Sequence, residues 1–375
     1  MYDTIVIGLG GMGAATAWHL ARRGQRVLGL EQYLFVHDRG SSHGQSRIIR
    51  QAYFEHPDYV PLLKRSYAFW DVLDGDTGSE IVNLCGMFMA GLPGDTVMAG
   101  TRHAAAAHDL PLENVSAADA LERFPSLRAD PDMDILFDPL GGYLRVEHCV
   151  AAHLEGARLA GATLRQNEEV LSWQCEGGGV RVTTVKGEYL ATSLVICAGP
   201  WADSLLRDLK LPLSPHRVAM AWFQPETAIH DVDEGAPVFG IQTSGGFFYG
   251  FPCLDGRGVK VALHHPGAFL EDPAEVDRSV TGEDVRELQA FVSRHLVDLR
   301  LEPWTGATCI YTMTPDEHFI VDRHPHHENV FIAAGFSGHG FKFTPVIGSI
   351  MADYCIDGAT AEPADFLGLG RFGVS

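Results

Sequence analysis

The hydrophobic pattern opens as a continuous run and then spreads out. Thr4-Ile5-Val6-Ile7 is a short β-branched strand, the segment from about Met12 to Arg23 reads as a helix ended by Gly24, and Gln25 to Leu30 is a second strand closed by Glu31. Gly8, Gly10 and Gly13 lie between the first strand and the helix at the spacing G-x-G-x-x-G. Each meets a separate steric demand: Gly8 permits the tight turn, Gly10 lets backbone approach a pyrophosphate, and Gly13 lets the helix lie close on the strand. The helix then offers unpaired N–H groups and its positive dipole end to phosphates. Glu31 is placed to accept hydrogen bonds from a ribose hydroxyl, and its charge would repel a 2′-phosphate. A lone glycine triplet is weak, but strand, glycines, helix, strand and acid in this order predict a dinucleotide site, for NAD or FAD.

Further along, the polar stretch Ser41–Arg50 carries Arg47 and Arg50 three residues apart, on one face if the segment is helical. A solvated basic loop is the plain alternative. Pro57 to Leu73 is an amphipathic scaffold helix, His103 to His108 is a short helix, and Ser116 caps another with Asp119 as its partner. Asp130, Asp132 and Asp134 read as solvated acids, since the loop lacks the glycine and distal glutamate of a calcium site. Val146 to Ala160 is a helix leading to a strand over Thr163 to Val170, and Val180 to Val185 alternates as a hairpin strand should. Ala191 to Gly199 is a buried parallel-type strand that should rejoin the first sheet, with Cys197 as a small apolar residue within it. Pro215 to Pro266 is strand-rich, and alternation over Gly258–His264 puts Lys260, Ala262 and His264 on one face. Thr281 to Leu296 is a capped helix. The last quarter holds Cys309–Asp316 and then Phe331–Lys342, a strand, glycine turn and helix where backbone can approach a flat or phosphorylated ligand.

Composition narrows the class. A chain of 375 residues is long for one core, so two domains are expected. The balance of 28 basic against 48 acidic residues, net −20, opposes nucleic acid or an anionic membrane as the main partner. No apolar run reaches membrane-spanning length, and a nucleotide strand beginning at residue 4 leaves no room for a signal peptide, which predicts a cytoplasmic protein. The seven cysteines are scattered and never in a C-x-x-C pair, which predicts neither a disulfide framework nor a zinc site, and no metal is expected.

Taken together, the glycine fingerprint, SSHGQSRIIR, the YGFP and KVALH strands, CIYTMTPDEHF and AAGFSGHGFKF resemble the monomeric sarcosine oxidase family, which includes N-methyltryptophan oxidase. The match runs in order across nearly the whole chain. The resemblance implies FAD, attached through its 8α-methyl group to the cysteine of the C-x-Y-T motif, here Cys309. It implies Arg50 and Lys342 as the carboxylate clamp for a secondary amino acid, and Lys260 as the cation beside the ring that activates oxygen. Arg47 and His43 would sit by the flavin, Tyr249 and His264 would line the substrate pocket, and Tyr311 follows the attachment cysteine. Ser42, Val170, Gly199, Gly338 and His339 complete the expected cofactor contacts alongside Gly8, Gly10, Gly13 and Glu31. The implied reaction is oxidation of the N-methyl C–N bond to an imine, hydrolysed to formaldehyde and an amino acid, with oxygen reduced to hydrogen peroxide. Cyclic secondary amino acids such as proline or pipecolate, and glycated amino acids, are the alternative substrates; no partner beyond a small molecule and oxygen is expected, and the chain should be monomeric.

The fold expected is α/β (α+β overall): a Rossmann-like FAD-binding domain of glutathione-reductase type, residues 1–85, 146–214 and 305–375, with an interleaved mixed-sheet substrate domain, residues 86–145 and 215–304. Two departures stand out. Gly240 falls where sarcosine oxidases carry a bulkier methionine, which predicts a roomier substrate wall, and Ser46 replaces a threonine. An NAD-dependent dehydrogenase would fit the first thirty residues and leave Cys309 and Lys260 unexplained; a flavin-storage protein would leave the clamp unexplained.

Overall fold

A computed structural model describes residues 1–374. The opening strand, Tyr2–Ile7, lies at the centre of an eight-stranded sheet, parallel to Val27–Leu30 on one side and to Gly187–Ile196 on the other. The late apolar run therefore does rejoin the first sheet, with Ile5 opposite Leu194 and Val6 opposite Val195. Being buried on both faces, these strands read as unbroken apolar runs. Helices Gly11–Arg22, Tyr59–Thr77, Val146–Leu159 and Thr344–Asp357 pack on this sheet or on one another around one core that includes Trp18, Leu63 and Ile347.

A second sheet of nine strands runs from Ala268–Phe269 through Ser214–Phe223, Val259–His264, Gly246–Phe251, Val238–Thr243, Met87–Gly91 and Asp134–Asp138 to Glu113–Val115, with Thr305–Met313 paired to Ser214–Phe223. One face is closed by helix Gly282–His295, whose N-terminus carries a full capping box from Thr281 and Asp284. The opposite face carries Met220, Ala262, Cys309 and Tyr311. No helix among the described residues is long and apolar enough to cross a membrane.

Four expectations need correction. Residues 305–313, assigned above to the nucleotide domain, hydrogen-bond along the second sheet instead. The helical reading of Ser41–Arg50 fails, because Ser46–Ile49 is a strand paired with Gly142–Arg145 and Arg50 follows its end. The single strand over Thr163–Val170 is two, Thr163–Arg165 and Val170–Glu176, split where Asn167 takes a positive φ of 52°. The alanine-rich helix begins at Thr96 rather than His103.

Candidate active site

A long cleft crosses from the first sheet to the second. At one end it is bounded by Gly8, Gly10, Glu31 and Val170, and at the other by Arg47, Cys309, Tyr311 and Gly338, with Ser42 and Gly199 between. The glycines act as their spacing requires. Gly8 has φ +84° and a methyl group there would lie 2.5 Å from the Cys197 carbonyl oxygen; one on Gly13 would lie 1.7 Å from the Gly8 carbonyl oxygen, so Gly13 serves helix–strand contact and does not line the cleft. Helix Gly11–Arg22 begins without a side-chain cap of its own, and Ser42 Oγ accepts only the Gly11 N–H, at 3.1 Å. Free N–H groups are therefore left at the dipole's positive end, which suits a pyrophosphate.

Glu31 is buried and accepts from the backbone N–H groups of Leu9 (2.9 Å) and Tyr33 (3.0 Å), with His37 at 3.3 Å. Burial alone would raise its pKa; His37 and the two N–H groups outweigh burial and hold it below its ordinary value. It stays an anion with lone pairs to spare for a ribose.

At the far end, alternation along Thr305–Met313 puts Cys309 and Tyr311 on one face. Cys309 is 1% exposed, and Arg47 Nη2 approaches its sulfur at 3.4 Å while also donating to the Ser41 carbonyl at 2.8 Å. Tyr311 lies against the bare Gly338, where a methyl group would sit 2.3 Å from the ring, and its hydroxyl is 3.2 Å from that of Tyr249. The cleft is thus continuous from a nucleotide-holding end to a cysteine 300 residues later in the chain, and its lining fits FAD.

Beside that end opens a smaller cavity of about 60 Å³ that shares Arg47, Gly338 and Phe341 with the cleft. Arg50, Lys342, Tyr249 and His264 line it, so the second arginine converges with the lysine although the two lie far apart in sequence. Glu55 also lines the cavity, and sequence reasoning missed it. Both of its oxygens accept from Arg50 Nη2 at 2.7 Å. Burial would raise its pKa, but Arg50, His339 and Lys342 bring it down to about 2. Only its position five residues after Arg50 could have signalled the pairing. Lys342 donates to the His339 carbonyl at 2.7 Å; burial and then Arg50 lower its pKa to about 7. His264 is brought to about 4 mainly by burial, and is neutral at physiological pH.

Three expected contacts lie elsewhere. His339 lines the small cavity rather than the cleft; its ring is engaged by the Tyr53 hydroxyl at Nδ1 and the Glu317 carbonyl at Nε2, and burial takes its pKa to about 3. His43 lines neither space. It is buried with Nε2 unpartnered, and burial followed by Arg47 takes it to about 4. Lys260 also lines neither: its ammonium donates to the carbonyls of Gly44 (2.6 Å) and Ser46 (2.9 Å) and to Ser46 Oγ (3.3 Å), beneath Phe251 and Trp222. Burial and Arg47 press its pKa well down, while three oxygen acceptors match the three protons of an ammonium. Lys260 therefore straps the loop that delivers Ser42 and Arg47 to the cleft.

Gly240 corrects the expectation of a roomier wall. It does not line the cavity, and a methyl group on it would lie 2.4 Å from the Phe247 ring and 3.0 Å from Met87. Phe247 fills the space the glycine leaves. As for metals, Asp208, His324 and His327 come together outside the cleft. The His326 N–H donates to His324 Nδ1, which puts the ring proton on Nε2, facing Asp208 at 3.0 Å. The protonated Nε2 makes no hydrogen bond there and would have to lose its proton to bind a metal.

Residues 3–354 match the FAD dependent oxidoreductase family. The chain is 46% identical to a monomeric sarcosine oxidase of Streptomyces avermitilis over 367 residues, 96% of this chain and 95% of that one. It is 33% identical to an N-methyl-L-tryptophan oxidase of Yersinia pestis, covering 99% of both. Among solved structures, NikD, an unusual amino acid oxidase essential for nikkomycin biosynthesis, superposes with a TM-score of 0.87 at 28% identity, over 98% of this chain and 97% of that one. A cleft that fits FAD and a matching chain at this identity lead to one assignment: the protein belongs to the FAD dependent oxidoreductase family, among the amine oxidases that include monomeric sarcosine oxidase and N-methyltryptophan oxidase.

Proposed function

We propose that the protein oxidises the N-methyl C–N bond of a small N-methyl amino acid, of which sarcosine is the simplest. The observation that carries this reading is the convergence of Arg50 and Lys342 on one small cavity against the Cys309–Tyr311 end of the cleft. A guanidinium and an ammonium there hold a carboxylate by charge-assisted hydrogen bonds and leave the substrate nitrogen towards the cleft. An incoming carboxylate competes with Glu55 for Arg50 Nη2, so Glu55 keeps the guanidinium ordered until substrate arrives. The cationic surroundings favour the neutral amine, the form that can give up hydride. FAD held in the cleft would supply the two-electron acceptor, with oxygen as the final oxidant. The imine product leaves to be hydrolysed. Tyr249 and His264, the latter neutral, provide walls that add no charge near the reacting carbon. Covalent attachment at Cys309, a monomeric state and a cytoplasmic setting belong to the same proposal.

The direct test is hydrogen peroxide release over sarcosine, larger N-methyl amino acids, proline, pipecolate and a fructosyl amino acid. Sarcosine or another N-methyl amino acid should head the ranking; a ranking led by proline or by the fructosyl compound would overturn the reading.

A pH dependence follows from Lys342. The groups facing it are Arg50, Glu55, Arg47, His264 and His339; the two histidines at about 4 and 3 and Glu55 at about 2 do not titrate near neutrality. Protonated Lys342 binds a carboxylate and the neutral amine does not. Acetate should therefore bind most tightly below about pH 7 and weaken as pH rises, by at most about tenfold per unit. Titrating the flavin absorbance with acetate checks this, and Lys342→Met should flatten the profile; an unchanged slope in that variant would remove Lys342 from the clamp.

A further inference from the structure

Gly240 and Phe247 face each other across a hairpin. Gly240 is paired with Tyr249 and Phe247 with Gln242, which makes Gly240 and Phe247 diagonal neighbours on one face, within reach of an aromatic side chain. The Phe247 ring lies over the bare glycine, since a methyl group at Gly240 would meet its Cζ at 2.4 Å and its Cε2 at 2.7 Å. From that seat the ring lines the small cavity and meets Phe54 edge to face, with centroids 5.3 Å apart and planes at 75°. Phe54 in turn carries the Arg50 guanidinium on its face at 4.4 Å. The wall that limits the substrate is therefore mechanically joined to the group that holds the substrate's carboxylate.

We propose that Phe247 is the specificity-determining residue of this site. Seated by the absent side chain of Gly240, it closes the space beyond the substrate's α-carbon, and it restricts the enzyme to secondary amino acids with little or no side chain. The proposal rests on the functional reading above and extends it to the size of the substrate. Phe247 makes no contact with the reacting bond; it acts on which amine fits and on where Arg50 stands.

The test uses FAD-loaded enzyme in four forms: wild type, Phe247→Ala, Phe247→Leu and Gly240→Ala. In wild type kcat/KM should fall from sarcosine to N-methylalanine to N-methylleucine. Phe247→Ala should shift the ratio of N-methylleucine to sarcosine upwards by about 10- to 200-fold, the range for opening an apolar pocket, with Phe247→Leu intermediate. Gly240→Ala drives the ring into the cavity, so KM for sarcosine should rise and the larger amines should lose more. If Phe247→Ala folds poorly, the leucine variant and the opposite shift in Gly240→Ala still decide the matter. An unchanged ratio in every variant that keeps the wild-type flavin spectrum would overturn the proposal. Should wild type oxidise none of these amines, the functional reading fails by itself. Binding of acetate, isovalerate and benzoate, followed by flavin absorbance, then decides for Phe247: a shift towards larger acids in Phe247→Ala supports it, and an unaltered order overturns it.

Discussion

Replacing Cys309 by serine is expected to turn a protein that stays yellow after acid precipitation into one whose pellet is colourless, with all flavin in the supernatant or none bound at all. Cys309 is the buried thiol that lines the far end of the long cleft, on the strand face it shares with Tyr311. Cys197 lines the cleft too, but near Gly8 and Gly199, where it packs against the helix start. Arg47 places a guanidinium 3.4 Å from the Cys309 sulfur, so negative charge on the sulfur or on the adjoining ring edge would be met by a fixed cation. A hydroxyl in the same place keeps the volume and the Arg47 contact but lacks the nucleophilicity of a thiolate. The expected effect is all or nothing, because a thioether survives acid and a non-covalent complex does not. A wild-type protein that releases its whole flavin complement would sink the attachment, whatever its activity.

The second large effect is expected at Lys260. If its ammonium acts on oxygen as the family resemblance implies, changing it to methionine should slow reoxidation of the reduced enzyme about 10²–10³-fold, the usual cost of removing one preorganised donor aimed at developing negative charge. Stopped-flow measurement separates that step from reduction by substrate. The structure adds a competing role, since the ammonium ties down the carbonyls of Gly44 and Ser46 in the loop that carries Ser42 and Arg47. Methionine keeps the packing on Phe251 and Trp222 and removes three hydrogen bonds, although the Gly44 carbonyl still accepts from the Ser46 N–H and the Ser46 carbonyl from Arg47 Nη1, so the stability cost should be modest, about 1 kcal/mol. If oxygen activation is the main role, reoxidation should fall far more than reduction. Equal losses in both half-reactions, together with a lower melting temperature, would identify Lys260 as a positioning residue.

Much of this site was legible in the chain because its signals are local. The spacing of Gly8, Gly10 and Gly13, the acid at Glu31, and the alternation that puts Lys260, Ala262 and His264 on one face need only a strand or helix period to be read. Cys309 and Tyr311 were singled out by the resemblance of their motif to a known family. The apolar run before Gly199 announced a central strand because both of its faces are buried. Arg47 and Arg50 were found by residue type and do line one space, the small cavity, but not as a helical face: Ser46–Ile49 pairs as a strand and Arg50 follows its end.

By itself, then, the sequence determined a dinucleotide grip and a strand-rich second half, since period and spacing are properties of neighbouring residues, while the residues of a flavin amine oxidase came from the resemblance of its motifs to a known family. Tertiary structure alone decided three things. It joined Glu55 to Arg50, it set Phe247 into the slot left by Gly240, and it turned Lys260 onto the loop of Ser46. Each depends on how segments distant in sequence or differently oriented are brought into contact, and on which side chain occupies the space between them. A glycine read along the chain is a missing side chain, but only the folded molecule shows which neighbour has moved in.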